Sequence, residues 1–415
     1  GPFAVLLIHA YTMYVYFYLF TSAGMARLDP ALQEAAAALG ANRANTLRRV
    51  TLPMLTPAIA GAALLVFMTS MGSFSAPYVF GGGFRVLTTQ IFASKLNGEL
   101  GMAAVETVIL AVVSLLFLVL IERTESGRAY TTAGKGVGGG ADAARQRNQR
   151  GTGYTLLGAL IVLFLLLPHL TVILVSFVPE GTWTTQFLPP SYSTENYRAL
   201  LFGPEGTRPV LNSLQMATVA TALNVLLAYA AAYVLVRTRV RGRHLMSALV
   251  ILPWALPGTV LAIALASMFS VNEPWLGRFI LVGTIWILPL AYFIRNIPLV
   301  TRAAMASFRQ LDPALEEAAA SLGANAWRRA TRIALPLVMP GVAAGAMLAF
   351  VTALGEFVAS ILLYTHRTRP IAIEILAQLR AFDFGAAAAY AVLLIVLIAV
   401  VFGLGYRAVG DERMV

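Results

Sequence analysis

LDPALQEAAAALGANRANTLRRVTLPMLTP occupies residues 28–57, and LDPALEEAAASLGANAWRRATRIALPLVMP occupies residues 311–340. At a fixed offset of 283, Asp29–Pro57 and Asp312–Pro340 agree at 16 of 29 positions. Phe67, Thr69, Gly72 and Phe74 carry the match on to Phe350, Thr352, Gly355 and Phe357. Chance likeness between apolar helices favours Leu, Ala and Val. These matches include Asp, Pro, Glu, Gly, Asn and Arg, so the chain holds an internal duplication.

The duplicated block has a readable local structure. Asp29 and Asp312 are suited to cap a helix, with Pro30 and Pro313 at the first helical position, where no amide donor is missed. An Ala-rich helix follows, and Gly40 or Gly323 ends it because glycine accepts the left-handed conformation of a C-terminal stop. Asn42 or Asn325 opens a second short helix bearing Arg48 and Arg49, or Arg328, Arg329 and Arg332. Leu52-Pro53 and Leu335-Pro336 then lead into long apolar runs. Each copy predicts helix, turn and helix at a membrane surface, showing a small-residue face and a fixed carboxylate, Glu34 or Glu317. Such a face permits close helix approach and suits docking into a groove on a partner.

Outward from these blocks the chain is strongly apolar. Of its 415 residues 59% are hydrophobic and 12% charged, against about 45–50% and about 25% in soluble domains. Mean hydropathy is +0.76. Apolar stretches of about 20 residues predict nine membrane helices, near 3–20, 54–76, 101–121, 154–177, 210–236, 245–270, 279–299, 336–362 and 385–406. The alternation of a barrel strand is missing, so the expected fold is an all-α polytopic membrane protein. Without cysteine, the chain has no disulfide framework, thiolate metal site or cysteine nucleophile.

The net charge of +11 and pI near 10.1 would point to nucleic acid in a soluble chain. Segments 21–53, 122–153, 237–244, 295–335 and 407–415 hold 22 of the 30 basic residues, whereas the alternate loops hold 8. By the positive-inside rule the first set is cytoplasmic, including both duplicated blocks and the C-terminus. The charge is then a topology signal with membrane lipid as its counterpart, and no nucleic-acid partner is implied. Arg237, Arg239, Arg241 and Arg243 crowd one such loop as an orientation determinant.

Gly, Ala and Arg dominate 123–153, which reads as a flexible cytoplasmic linker between a first half, 1–122, and a second half, 154–415. The AGKG within it lacks the spacing of a phosphate-binding loop, so no Walker A motif is present. Three predicted spans lie in the first half and six in the second. A first half of equal size needs about 125 further residues and three further spans, so the sequence reads as an N-terminally truncated part of a twelve-span chain.

Both blocks resemble the EAA---G---------I-LP signature of permease subunits of binding-protein-dependent ABC importers. Glu317, Ala318, Ala319, Gly323, Ile333, Leu335 and Pro336 fit throughout. Glu34, Ala35, Ala36, Gly40, Leu52 and Pro53 fit in the first copy, where Val50 stands in for Ile. Two copies resemble the fused permeases, the ferric-iron-transport type most of all, with relatives for polyamines, thiamine and phosphonates. GSFSAPYVFGGGFRVLTTQIF (72–92) and GEFVASILLYTHRTRPIAIEI (355–375) share that look. The resemblance implies a bacterial inner-membrane protein whose loops seat in a cytoplasmic ABC ATPase dimer. It also implies a periplasmic or lipid-anchored substrate-binding protein at the outer loops. ATP is then used by the partner subunit, and this chain binds no cofactor and is not an enzyme.

Ionisable residues within spans are costly and point to function. Glu356, about 20 residues beyond Pro336, is expected near the outer mouth, as a rim carboxylate or as part of the pathway or gate, with Ser73 as its repeat mate. Glu106, which begins another span from the outside, reads equally as a pathway carboxylate or as interfacial. His9 and His169 read as packed, hydrogen-bonded histidines, and no cluster has metal-ligand spacing. Pro253, Pro257 and Gly258 interrupt one span, and Pro289 another. A secondary transporter or channel with duplicated halves is the alternative, but it gives no reason for two docking blocks. An intramembrane enzyme lacks a nucleophile–base pair.

Overall fold

The computed structural model describes residues 1–26, 28–126, 152–183, 186–238, 240–270 and 279–411, and every regular element among them is helical. In chain order these are α1 (Pro2–Ala26), α2 (Pro30–Ala38), α3 (Arg43–Thr46), α4 (Leu52–Met71), α5 (Ser75–Phe80), α6 (Leu87–Leu96) and α7 (Leu100–Ser126). There follow α8 (Thr152–Val175), α9 (Glu195–Phe202), α10 (Arg208–Arg237), α11 (Arg243–Ala255), α12 (Gly258–Phe269) and α13 (Ile287–Gln310). The last are α14 (Pro313–Ser321), α15 (Ala326–Arg328), α16 (Leu335–Leu354), α17 (Val358–Leu363), α18 (Ile371–Arg380) and α19 (Phe384–Asp411). Most of the expected linker, 127–151, and Arg239 lie outside the described residues.

The chain forms two compact units, Gly1–Val86 with Val112–Leu170, and Leu87–Ala111 with Thr171–Val415. In the first, α1 packs on α4 and α5. A Cβ at Gly24 would meet Leu55 Cδ2 at 3.0 Å and Ala58 Cβ at 3.1 Å, so glycine sets the approach of α1 to α4. Tyr11 hydroxyl donates to the Leu165 carbonyl.

In the second unit α10, α13 and α16 pack against one another around Ala228, Ala232, Val300, Ala304, Phe308, Val338, Val342 and Ala349. Small residues dominate because lipid offers no hydrophobic drive for helix association, and close backbone approach supplies dispersion contacts instead. A Cβ on Gly345 would lie 2.7 Å from Ala303 Cβ and 3.1 Å from Val300 Cα.

The duplication is legible helix by helix. α2, α4 and α5 recur as α14, α16 and α17 at the offset of 283, whereas α6 and α7 recur as α18 and α19 at 284. The added residue falls between Phe80 and Leu87 on one side and Leu363 and Ile371 on the other. Gly98, at φ +80°, has Phe382 as its counterpart at φ +63°, a left-handed conformation that favours glycine.

Nine predicted spans become seven helices long and apolar enough to cross a membrane among the described residues, or eight if a bent pair is one span. That pair is α11 and α12, which meet at 106°. Pro257 lacks the amide donor that would continue α11, and its ring turns Leu256 to extended ψ of 134°. The predicted 279–299 span is the one that does not meet this length-and-hydropathy measure, although a helix of 24 residues covers most of it and packs between α10 and α16. Its helix starts only at Ile287 and carries Arg295, Asn296, Arg302 and Arg309. Eleven of its 24 residues are buried, so protein neighbours relieve it of a uniformly apolar surface.

Candidate functional site

The two duplicated loops share one construction, each within its own unit. Asp29 Oδ1 accepts the Ala31 amide at 2.9 Å, and Asp312 Oδ1 accepts that of Ala314 at 2.9 Å. At the other end the amides of Leu39, Gly40 and Ala41 reach back to the carbonyls of Ala35, Ala37 and Ala36. Leu322, Gly323 and Ala324 repeat this on Ala318, Ala320 and Ala319. Gly40 at φ +81° and Gly323 at φ +84° make these turns, and orphan carbonyls are thereby satisfied. Asn42 and Asn325 accept the amides of Asn45 and Arg328.

Beyond the second cap the backbone widens into π-helical turns, Leu47–Thr51 and Arg329–Ala334. Leu52 donates to the Leu47 carbonyl and Leu335 to that of Ala330, both five residues back. Pro53 and Pro336 follow at once. Each lacks an amide donor and crowds the carbonyl four residues earlier, a conflict that a π turn relieves.

The loops present their apolar tips to solvent. Leu39 and Leu322 are each 89% exposed, and Trp327 is 76% exposed. Glu34 and Glu317 are exposed, as are Ala35 and Ala318, while Ala36, Ala319 and Ile333 are half-buried. Leu52, Pro53 and Pro336 are exposed, and Leu335 is half-buried. Exposed leucines beside a small-residue helix form an apolar knob left uncovered by the described residues.

In the second unit the C-terminal end of α10 grips this loop. Arg237 Nε forms an ion pair with Glu316 Oε1 at 2.9 Å, though its N–H is not aligned as a hydrogen bond. The side chains are 13% and 12% exposed. Arg237 Nη2 donates to the Leu311 carbonyl at 2.7 Å, and the guanidinium lies 6.0 Å from the Phe308 ring centre. Tyr229 hydroxyl donates to the Ala330 carbonyl. Entry and exit of the loop are thus held by one helix. Gln33 stands at the position of Glu316 in the first copy.

A second polar constellation lies at the break between α16 and α17. Glu356 Oε1 accepts the amides of Val358 and Ala359, both at 3.0 Å, and Oε2 pairs with Arg295 Nε at 3.0 Å. Glu356 is therefore not a free rim carboxylate, since its side chain is 10% exposed. Ser360 hydroxyl reaches the Glu356 carbonyl, and Tyr292 hydroxyl meets Ser360 Oγ at 2.6 Å. One turn along α13, Asn296 Oδ1 accepts the Thr352 hydroxyl at 2.8 Å. Glycine at 258 admits this arrangement, because a Cβ there would lie 2.8 Å from Arg295 Nη1.

At the far end of α17, Lys95 of α6 donates to the Leu362 carbonyl, and burial pushes its ammonium pKa down. A carboxylate at the start of this short helix and an ammonium at its end both suit the helix dipole. The repeat mate Ser73 has a different setting, where His9 bridges Ser73 Oγ and Ser70 Oγ at 2.9 Å each. His9 is thus a hydrogen-bonded helix histidine. Glu106 accepts the Ser94 hydroxyl at 2.9 Å. No group of three or more His, Asp or Glu side chains among the described residues is placed to hold a metal ion.

Sequence reasoning missed Arg295, Arg237 and Lys95 as partners, because each contact joins residues distant in the chain. It also missed Asn224, 1% exposed on α10, whose amide nitrogen and oxygen have no partner among the described residues. An unsatisfied amide in an apolar bundle is costly unless water reaches it.

A profile of the family described as binding-protein-dependent transport system inner membrane component matches residues 1–128 and 224–409. A probable ABC transporter permease of Sinorhizobium fredii is 32% identical over 376 residues, 90% of this chain and 66% of that protein. A ferric transport system permease of Actinobacillus pleuropneumoniae is 30% identical over 395 residues, 93% of this chain and 56% of that protein. A sulfate transport system permease of Escherichia coli is 34% identical over 230 residues, 54% of this chain and 82% of that protein. The chain spans between 56% and 66% of the length of the first two relatives.

Proposed function

Because this chain belongs to the inner membrane components of binding-protein-dependent transport systems, we propose that it is the permease of an ATP-driven importer. It is a multi-pass inner membrane protein, and its two duplicated loops are the surfaces through which a separate ATPase dimer drives it. The observation that carries this reading is the repeated construction of those loops. Caps, positive-φ glycines, π turns and exposed leucines coincide in both copies, although the two blocks differ at 13 of 29 positions. A helix that only covered a membrane surface would turn its apolar tip toward lipid on one shared face, whereas Leu39 and Leu322 are each left 89% exposed.

In this reading Glu34, Ala35, Ala36 and Gly40, with Glu317, Ala318, Ala319 and Gly323, form the face seated in the ATPase. Leu52-Pro53 and Leu335-Pro336, with Ile333, transmit its movement through the π turns into α4 and α16. The halves are 1–122 and 154–415, joined by the 123–153 linker, with loops, linker and C-terminus cytoplasmic. A substrate-binding protein delivers solute at the opposite side. Glu356 and Arg295 sit where α16 breaks and serve as a gate element, and Ser73 marks its counterpart. The cargo is ferric iron, supported by the ferric transport relative matching along 93% of this chain. The sulfate relative matches along 54%, which makes sulfate the competing cargo.

Uptake into proteoliposomes tests this. Iron should enter only when ATP, the ATPase and an iron-loaded binding protein are all present. Uptake driven by an ion gradient without ATPase would instead establish a secondary transporter, and ATP-driven sulfate uptake would correct the cargo alone.

A further inference from the structure

Arg302 and Arg309 stand seven residues apart on one face of α13, with Met305 between them. Across from them α11 presents Ser247, Val250 and Ile251. Arg302 lies over the Trp254 ring at 5.1 Å, and Arg309 and Ser247 line the same space. Between them is an open groove of about 310 Å³. Its walls are mainly aliphatic, and both arginines are exposed residues.

Among the described residues neither Arg302 nor Arg309 has a carboxylate within ion-pair distance. By contrast, the half-buried Arg237, Arg295 and Arg369 are each paired with glutamate. Two unpaired cations over an aliphatic trough, in a helix pair of a membrane protein, complement a ligand with an anionic head and an apolar tail. Free phosphate would satisfy the guanidiniums and leave the trough empty. We propose that this groove binds one anionic phospholipid, its phosphate between Arg302 and Arg309 and an acyl chain along Val250, Ile251 and Met305. The inference rests on the membrane placement of the chain and not on ATPase coupling. Occupancy nevertheless bears on the loop, because Arg309 lies four residues before Pro313, where α14 begins.

Native mass spectrometry of the full chain in mild detergent tests it, with phosphatidylglycerol and phosphatidylcholine as probes. Wild type should retain one phosphatidylglycerol roughly 30-fold more tightly than phosphatidylcholine, the selectivity expected from two basic contacts. The Arg302→Gln/Arg309→Gln pair should lose that selectivity, and Arg302→Lys/Arg309→Lys should keep most of it. Ala306→Trp fills the groove without altering charge and should also release the lipid, whereas Arg85→Gln should change nothing. Equal retention of both lipids by wild type overturns the proposal. So does phosphatidylglycerol retention that survives both the Gln pair and Ala306→Trp, or displacement of the lipid by millimolar inorganic phosphate.

Discussion

Gly323 separates two meanings of the duplicated loop, because its cost in the free chain is independent of side-chain size. It adopts φ +84°, and a Cβ built on it meets nothing within 4 Å. Any L-residue there incurs the left-handed penalty, about 1–2 kcal/mol, and no steric clash with this chain. Gly323→Ala and Gly323→Trp should therefore lower the thermal midpoint of the isolated chain by similar amounts. If the turn is buried in an ATPase cleft, Trp adds overpacking of about 1–3 kcal/mol per loop, which Ala largely avoids. Binding of the ATPase should then fall roughly 5- to 150-fold further for Trp than for Ala. Gly40, at φ +81° and equally open, should behave alike. The assay is ATPase titration onto nanodisc-held variants, with the thermal midpoint read on the same samples. Equal ATPase affinity for the Ala and Trp variants would refute the docking argument.

Arg237→Ala leaves Glu316 unpaired at 12% exposure and frees the Leu311 carbonyl, so a loss of about 3 kcal/mol is expected in thermal unfolding. Glu316→Gln, which restores the residue type of the first copy, should cost less than half as much. Glu356→Ala removes both amide caps of α17 and the Arg295 partner. It should destabilise by about 2–3 kcal/mol, whereas Glu356→Gln keeps the caps; chemical denaturation of the two variants separates ion pair from cap. Uptake should slow in both while ATPase binding stays unchanged. Phe382→Gly relieves a positive φ of 63° at a residue 76% exposed, and a gain of about 1 kcal/mol in stability is expected.

Much of the loop was legible in the sequence because its determinants are local. An aspartate cap, a proline at the next position and a glycine stop act within a few residues, and all three stand where the repeat places them. The proline breaks near 253–258 were legible too, though the 106° bend was not, since composition records a break and not its angle. At 279–299 hydropathy misplaced the bounds, since the helix runs from Ile287 to Gln310 and is buried against α10 and α16 as well as being apolar. α13 has Ile287, Leu288 and Ala291 fully buried and carries arginines along its length. The ion pairs of Arg295 and Arg237 were hidden for another reason. Each joins residues more than 60 positions apart, and only the packing of α10, α13 and α16 brings them together.

The absence of cysteine makes this chain a ready background for cross-linking. Leu39→Cys and Leu322→Cys place single thiols at sites each 89% exposed, at the tips of the two loops. With a cysteine scanned along the ATPase surface, each thiol should form a disulfide with one cleft, and the yield should change between nucleotide-free and ATP-bound states. ATP-driven uptake that proceeds while neither loop cross-links to the ATPase would contradict the account.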